Sequence, residues 1–202
     1  MRPYDSNTLA AMARAETQWR DFLTIYGKDD VGSAMTFRFW SGPDNVAAST
    51  LSAADGTTAS KNYVGGVVKS VDAIPQVIGL EARSISVVLD HIHDDVQDMI
   101  RAYDIRHALA EVHRGLFNID TGTLVSVLYP RFLGKVDGAP LVTPAVDGEG
   151  SVTIQLVSHT IELTRTNPAK KSNEQQKLRS GDLFRQYADV AADIQVDWGT
   201  NG

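Results

Sequence analysis

The sequence predicts a mainly β protein of the α+β kind, a β-barrel or sandwich with an N-terminal helix and one or two short helices. Three observations predict it. Met35–Trp40 and Arg83–Leu89 alternate apolar and polar side chains, the period of two that places every second residue on one sheet face. Helical periodicity is confined to a few stretches, most of them short. Val152, Ile154 and Leu156 share one face, whereas Ile161 and Leu163 have the opposite parity. A period-two pattern that flips phase needs an extra residue, so a bulge or corner is predicted near Ser158–His159, as in strands that turn the corners of small barrels and sandwiches.

Taken in order, Asp5 or Ser6 caps a predicted helix whose apolar positions Leu9, Met12, Trp19, Phe22, Leu23 and Tyr26 fall on one stripe, with Gly27 as its stop. Ala10, Ala11, Ala13 and Ala15 raise its helix propensity. Residues 1–30 therefore read as an N-terminal helix or arm, and residues 31–202 as the β-rich domain. Met35–Trp40 is a strand ended by the turn residues Ser41–Asn45. Residues 47–60, small and polar, read as loop or weak edge structure. Asn62–Val71 is a further strand in which Gly65–Gly66 marks a bulge or a close approach of backbones.

After the strand Arg83–Leu89 comes a short helix. Asp94 and Asp95 sit where the helix dipole favours negative charge, Arg101 lies near the other end, and Val96, Met99, Ile100 and Tyr103 follow the i, i+3, i+4, i+7 pattern. Ala108–Asn118 and Leu124–Val136 are strands around the turn Asn118–Gly122, and Phe132, Gly134 and Val136 share a face of the second. Pro130 argues for an edge position or a break there, because proline donates nothing to a central ladder. Gly138–Gly150 is turn-rich. The strand from Ser151 is expected to run on to Arg165, followed by a polar stretch to Ser180, a short amphipathic segment opening at Gly181, and a closing strand Ile194–Gly199.

Composition bounds the function. At 202 residues and 22.0 kDa the chain suits one large domain, or one domain with an appendage. A hydrophobic content of 43% with 22% charged residues is that of a globular chain and argues against wholesale disorder. The net charge is −6, and no basic stripe of the kind duplex-binding domains carry is visible. The densest basic cluster, Lys170–Lys171 with Lys177 and Arg179, reads as a solvated loop. There is no cysteine, which removes disulfides, thiolate metal sites and thiol nucleophiles. No apolar run approaches the ~20 residues of a membrane span, and Met1–Ser6 lacks the features of a secretion signal. The chain reads as soluble and unprocessed.

Few residues invite a chemical role. His91 and His93 beside Asp94 and Asp95 offer metal-ligand types, but the acids belong to a helix N-terminus and the histidines read better as polar turn residues. His107 and His113, six apart, suit one strand face and no standard helical ligand pair. Ser158–His159 are sequence neighbours, unlike a serine and base that meet through the fold, and no G-x-S-x-G occurs. Gly65–Gly66 has neither P-loop nor Rossmann spacing. Asp29–Asp30 read as a solvated turn. Trp19, Trp40 and Trp198 fall on patterned apolar faces, which favours packing over ligand stacking. The residues thus assign no catalytic, cofactor-binding or metal site and require no cofactor.

The order of segments resembles the tail-tip and baseplate-hub proteins of long-tailed phages and gene transfer particles. The resemblance starts at Met35-Thr36-Phe37-Arg38-Phe39-Trp40-Ser41-Gly42, similar to a first strand entering a Trp/Ser-Gly turn. It continues through Arg83–Leu89, the helix near Val96–Tyr103, the paired strands Ala110–Phe117 and Leu124–Val136, and Phe132-Leu133-Gly134-Lys135-Val136-Asp137, similar to a recurrent F-x-G-x-V/M-D element. It closes on Glu162-Leu163-Thr164-Arg165, Asn167-Pro168, Gln175-Gln176, Gly181-Asp182 and Trp198-Gly199. Residues 47–78 depart from the pattern.

This resemblance implies a tail-tube-like barrel or sandwich and a non-enzymatic, structural role. It implies a homo-oligomeric ring at the distal tail tip that joins the tail tube to tip, fibre or receptor-binding proteins. No sequence-specific nucleic-acid binding and no membrane insertion are implied. Its place would be the virion tail, after synthesis in the host bacterial cytoplasm. Alternatives from the residues are a hexameric distal-tail adaptor, a small metal-dependent enzyme using His91 and His93, and a carbohydrate-binding module using the tryptophans.

Overall fold

A computed structural model describes residues 4–74, 81–142, 150–164 and 170–187. The chain divides into two units, Met1–Thr164 and Arg165–Gly202. The first opens with α1 (Ser6–Met12), capped by Asp5, whose side chain accepts from the Thr8 N–H. Strands β1 (Gln18–Lys28), β2 (Ala34–Trp40), β3 (Val46–Leu51), β4 (Thr58–Tyr63), β5 (Val68–Val71) and β6 (Ser84–Asp90) follow. Then come α2 (Asp94–Arg101), β7 (Asp104–Phe117), β8 (Tyr129–Gly138), β9 (Leu141–Val142), β10 (Ser151–Ser158) and α3 (Ile161–Thr164). The second unit holds α4 (Asn173–Lys177). The mainly β class expected from the alternation is the class observed.

One antiparallel sheet runs in the order β2-β1-β7-β8-β10-β6-β5, with β9 on β10, and β3-β4 form a separate hairpin. The stretch from β4 into β5 touches both ends of the large sheet. Val64 N–H donates to Arg38 O and Trp40 N–H to Val64 O, at 2.9 and 3.1 Å, while Asp90 N–H donates to Val67 O at 2.8 Å. The sheet thereby curls into a barrel around a single core. Leu23, Ile25, Phe37, Phe39, Val87, Leu89, Val112, Ile154 and Leu156 point inward, and Val96 and Met99 of α2 fill the same interior. Burying each such side chain contributes about 1.5–3 kcal/mol.

The hairpin β3-β4 lies over the outer face of β1 and β7. Phe22, Trp40 and Phe117, on the reverse of the barrel wall, pack with Ala48 and Tyr63 of the hairpin and with Leu128. Phe22 stacks on Trp40 at 5.3 Å and meets Tyr63 edge-on at 5.0 Å. Where the hairpin crosses, β1 is buried on both faces.

That double burial overturns the expected N-terminal arm. Trp19, Phe22, Leu23 and Tyr26 lie on an inner strand, not a helix, and the helix stops at Met12. Residues 1–30 are thus no separate arm, and the division falls after Thr164 rather than at residue 30. Residues 47–60, read as loop or weak edge, form most of the hairpin. Pro130 does not mark an edge, since β8 lies between β7 and β10, but it does mark a break, because the β7–β8 register shifts between Val112 and His113, opposite it. The parity flip after Leu156 has a different cause from a bulge at Ser158: the strand ends there and Ile161–Thr164 is helical. An irregularity against β8 sits instead at Gln155/Leu156. The expected closing strand Ile194–Gly199 lies outside the described residues.

Candidate functional site

The site that emerges is a buried polar cluster between barrel wall and hairpin, which sequence reasoning missed. Strand pairing sets Thr24 opposite Glu111 and Phe22 opposite His113, so these two titratable groups of β7 project onto the face the hairpin covers. Glu111 and His113 are fully buried. Glu111 Oε1 accepts from the Ser52 hydroxyl at 2.9 Å and from the Ala53 and Ala54 N–H groups at 3.1 Å each. Its Oε2 accepts a longer bond, 3.4 Å, from the Tyr26 hydroxyl. These donors compensate the loss of hydration that a buried carboxylate suffers.

His113 Nε2 lies 2.8 Å from Leu51 O, an acceptor, so Nε2 carries the hydrogen. Burial pushes the imidazole below its ordinary range, against the opposing pull of Leu51 O and Glu111. The ring is neutral at pH 7, and its Nδ1 is buried without a hydrogen-bond partner among the described residues. Burial, then the Glu111 charge, pushes the Tyr26 phenol up to about 12. Burial also raises Tyr63, whose hydroxyl joins Thr50 at 3.0 Å and Thr24 at 3.4 Å. The chemistry is that of a clamp: the carboxylate's oxygens are committed to the hairpin turn and to Tyr26, and Glu111 and His113 are sealed from solvent.

The residues singled out in the sequence disperse. His93 is the N-cap of α2: its Nδ1 accepts the Asp95 N–H at 3.3 Å and lies 3.8 Å from Asp95 Oδ2. His91 packs against Gly150, where a Cβ would collide with the imidazole. Among the described residues no group of three or more His, Cys, Asp or Glu side chains is placed to hold a metal ion. His107 is exposed with φ 58°, beside an irregularity in the β1–β7 pairing, and so parts from buried His113. Ser158 Oγ accepts from the Thr160 hydroxyl at 3.1 Å, and His159 is an exposed turn residue. Asp29 closes the β1–β2 turn by accepting from Val31 and Ser33 N–H, at 3.0 and 2.6 Å. Gly65 is a close approach of backbones, as expected, because a Cβ there would strike the Asp44 carbonyl.

Trp40 is committed to the packing under the hairpin, with its indole N–H on Asp44 O at 2.7 Å. Trp19 is half-buried, and the Arg131 guanidinium lies 5.8 Å from its ring centre. Trp198 lies outside the described residues. A separate cleft of about 220 Å³ runs between α1 and the end of β7, lined by Ala10, Ala11, Leu116, Phe117 and Ile119. The Arg14–Asp120 ion pair, 3.0 Å long, joins that helix's C-terminal turn to the β7–β8 loop. Among the described residues no helix is long and apolar enough to cross a membrane. No protein-family model matches the chain, and no curated protein matches it significantly.

Proposed function

We propose that this protein is a structural component of a phage tail, forming an oligomeric ring at the distal tip or baseplate hub that joins the tail tube to tip or receptor-binding proteins. The observation that carries the reading is unburied apolar surface on the second unit. Leu178, Leu183, Phe184 and Tyr187 are 78%, 51%, 85% and 68% exposed within a span of ten residues. None of residues 170–187 is buried. Such a stretch gains stability when protein covers it. The large sheet keeps β2 and β5 as its end strands, bridged through the 64–67 stretch, which leaves strand edge available to a neighbouring subunit. Glu111, the carboxylate of the cluster, is fully buried and spends its hydrogen bonds on holding the hairpin, which fits a protein that works by shape.

Immunogold labelling of intact particles, using antibodies raised against the purified chain, tests this. Label concentrated at the tail end is expected. A protein absent from every particle contradicts the reading. The mass of the assembled ring separates a trimeric hub from a hexameric adaptor.

A further inference from the structure

The second unit is opposite in charge to the first over its described part. Residues 170–187 hold five Lys or Arg against two Asp or Glu, a charge of +3, whereas residues 1–164 hold 13 against 20, a charge of −7. Lys170, Lys171, Arg179 and Arg185 line one open cleft there with Gln176. The exposed Leu178 lies among them in sequence, and Leu183, Phe184 and Tyr187 follow directly. Basic and apolar character are thus interleaved on one short segment. Its acids are partly occupied locally, Glu174 by Lys177 at 2.9 Å and Asp182 by the Gln176 amide at 2.6 Å, while Lys170, Lys171 and Arg179 are exposed.

The barrel unit carries the converse combination. Between Asp90 and Asp98 the chain has four aspartates and no lysine or arginine. Asp94 and Asp98 are exposed, and Ile92 among them is 68% exposed. Lys69 lies 3.8 Å from Asp90, and Arg101 stands at the far end of α2.

We infer that the basic, apolar segment 170–187 of one copy docks on the acidic surface around Ile92, Asp94 and Asp98 of a second copy. The inference rests on the ring reading above and names its contact. Every chain carries both halves of this pair, so the contact is heterologous, and repeated head to tail it generates a ring when the rotation between copies closes. Opposite charges steer the encounter and fix its register, while Leu183, Phe184 and Tyr187 supply the apolar surface that holds it. A single-stranded nucleic acid would also meet cations beside aromatics. The interleaved Glu174 and Asp182 repel a polyanion, however, and exposed leucines offer it nothing to stack on, so a protein surface is the better fit.

Light scattering of the full-length chain across a concentration series tests the inference, with far-UV circular dichroism as the folding control. The segment variant is Lys170→Glu/Lys171→Glu/Arg179→Glu, and the barrel variant is Asp94→Lys/Asp98→Lys. Each alone is expected to shift the assembly midpoint at least about tenfold towards monomer, and the two sets combined in one chain to restore assembly. Salt is expected to weaken the wild-type oligomer. Variants that assemble like the wild type overturn this contact while leaving the ring reading intact. Segment variants that keep the oligomer but lose retention of single-stranded DNA assign the segment to nucleic acid and overturn it as well. A wild-type chain that stays monomeric throughout overturns both.

Discussion

Two histidines in this protein stand two residues from a carboxylate, and the fold treats them oppositely. His93 and Asp95 lie at the start of α2, 3.8 Å apart, with 35% and 50% of their side chains exposed. Glu111 and His113 lie on β7, 3.7 Å apart, with nothing exposed. Spacing and chemistry match, yet the first pair caps a helix in contact with water and the second ties a hairpin to a barrel. A polar group left unpaired costs little in water and much in a dry interior. Burial therefore decides which pair matters. The pair that looks like a site in the sequence is the energetically minor one.

The contrast can be broken most decisively at Glu111. Glu111→Ala strands the Ser52 hydroxyl and two backbone N–H groups without an acceptor, and is expected to destabilise the fold by about 3–5 kcal/mol in urea unfolding. A loss below about 1 kcal/mol would mean the clamp contributes little. Tyr63→Phe removes the hydroxyl shared with Thr50 and Thr24 and should cost about 1–2 kcal/mol by the same measurement.

The His113 effect is read against pH. Its folded imidazole titrates below the ordinary value of 6.5 because it is buried, so in the window between the two values the unfolded chain binds a proton that the folded chain refuses. Stability is fully present above that window, is lost as pH falls through it, and levels off below the folded value. Glu111 opposes this shift and Lys61 adds to it. His113→Gln, which keeps a donor for Leu51 O, should flatten the slope in a pH series of unfolding midpoints. An unchanged slope would assign it to other groups.

At the exposed pair the effects shrink. His93→Ala removes the cap of α2 and should cost about 0.5–1 kcal/mol. Asp95→Asn, a change at a half-exposed surface position, should change stability by less than about 0.5 kcal/mol. Thermal unfolding compared with Glu111→Ala sharpens the contrast, and a larger loss at Asp95 than at Glu111 would invert it.

The same burial explains what was legible in the sequence. Met35–Trp40 and Ser84–Asp90 each have one face inside the barrel, so their alternation reads directly as strand. α2 announces itself through Asp94, Asp95 and the spacing of Val96 and Met99. β1 hides because Phe22, Leu23, Thr24 and Ile25 are all buried, the hairpin covering the face that a lone sheet would leave polar. Without alternation, the spacing of Trp19, Phe22, Leu23 and Tyr26 coincides with a helical stripe, although its β-branched and aromatic content favours a strand. Glu111 and His113 hide for the complementary reason. Opposite Ala110 and Val112 they look like the solvated face of an ordinary strand, and only the hairpin from 46 to 63, built of small residues with little signal, converts that face into an interior.

The central claim is that this chain works as an assembling part, and electron microscopy of the purified full-length protein tests it most directly. Closed rings with an axial opening, each a multiple of the 22.0 kDa subunit, are the result the account predicts. Single subunits that never associate, together with turnover of a substrate abolished by one side-chain replacement, would contradict it.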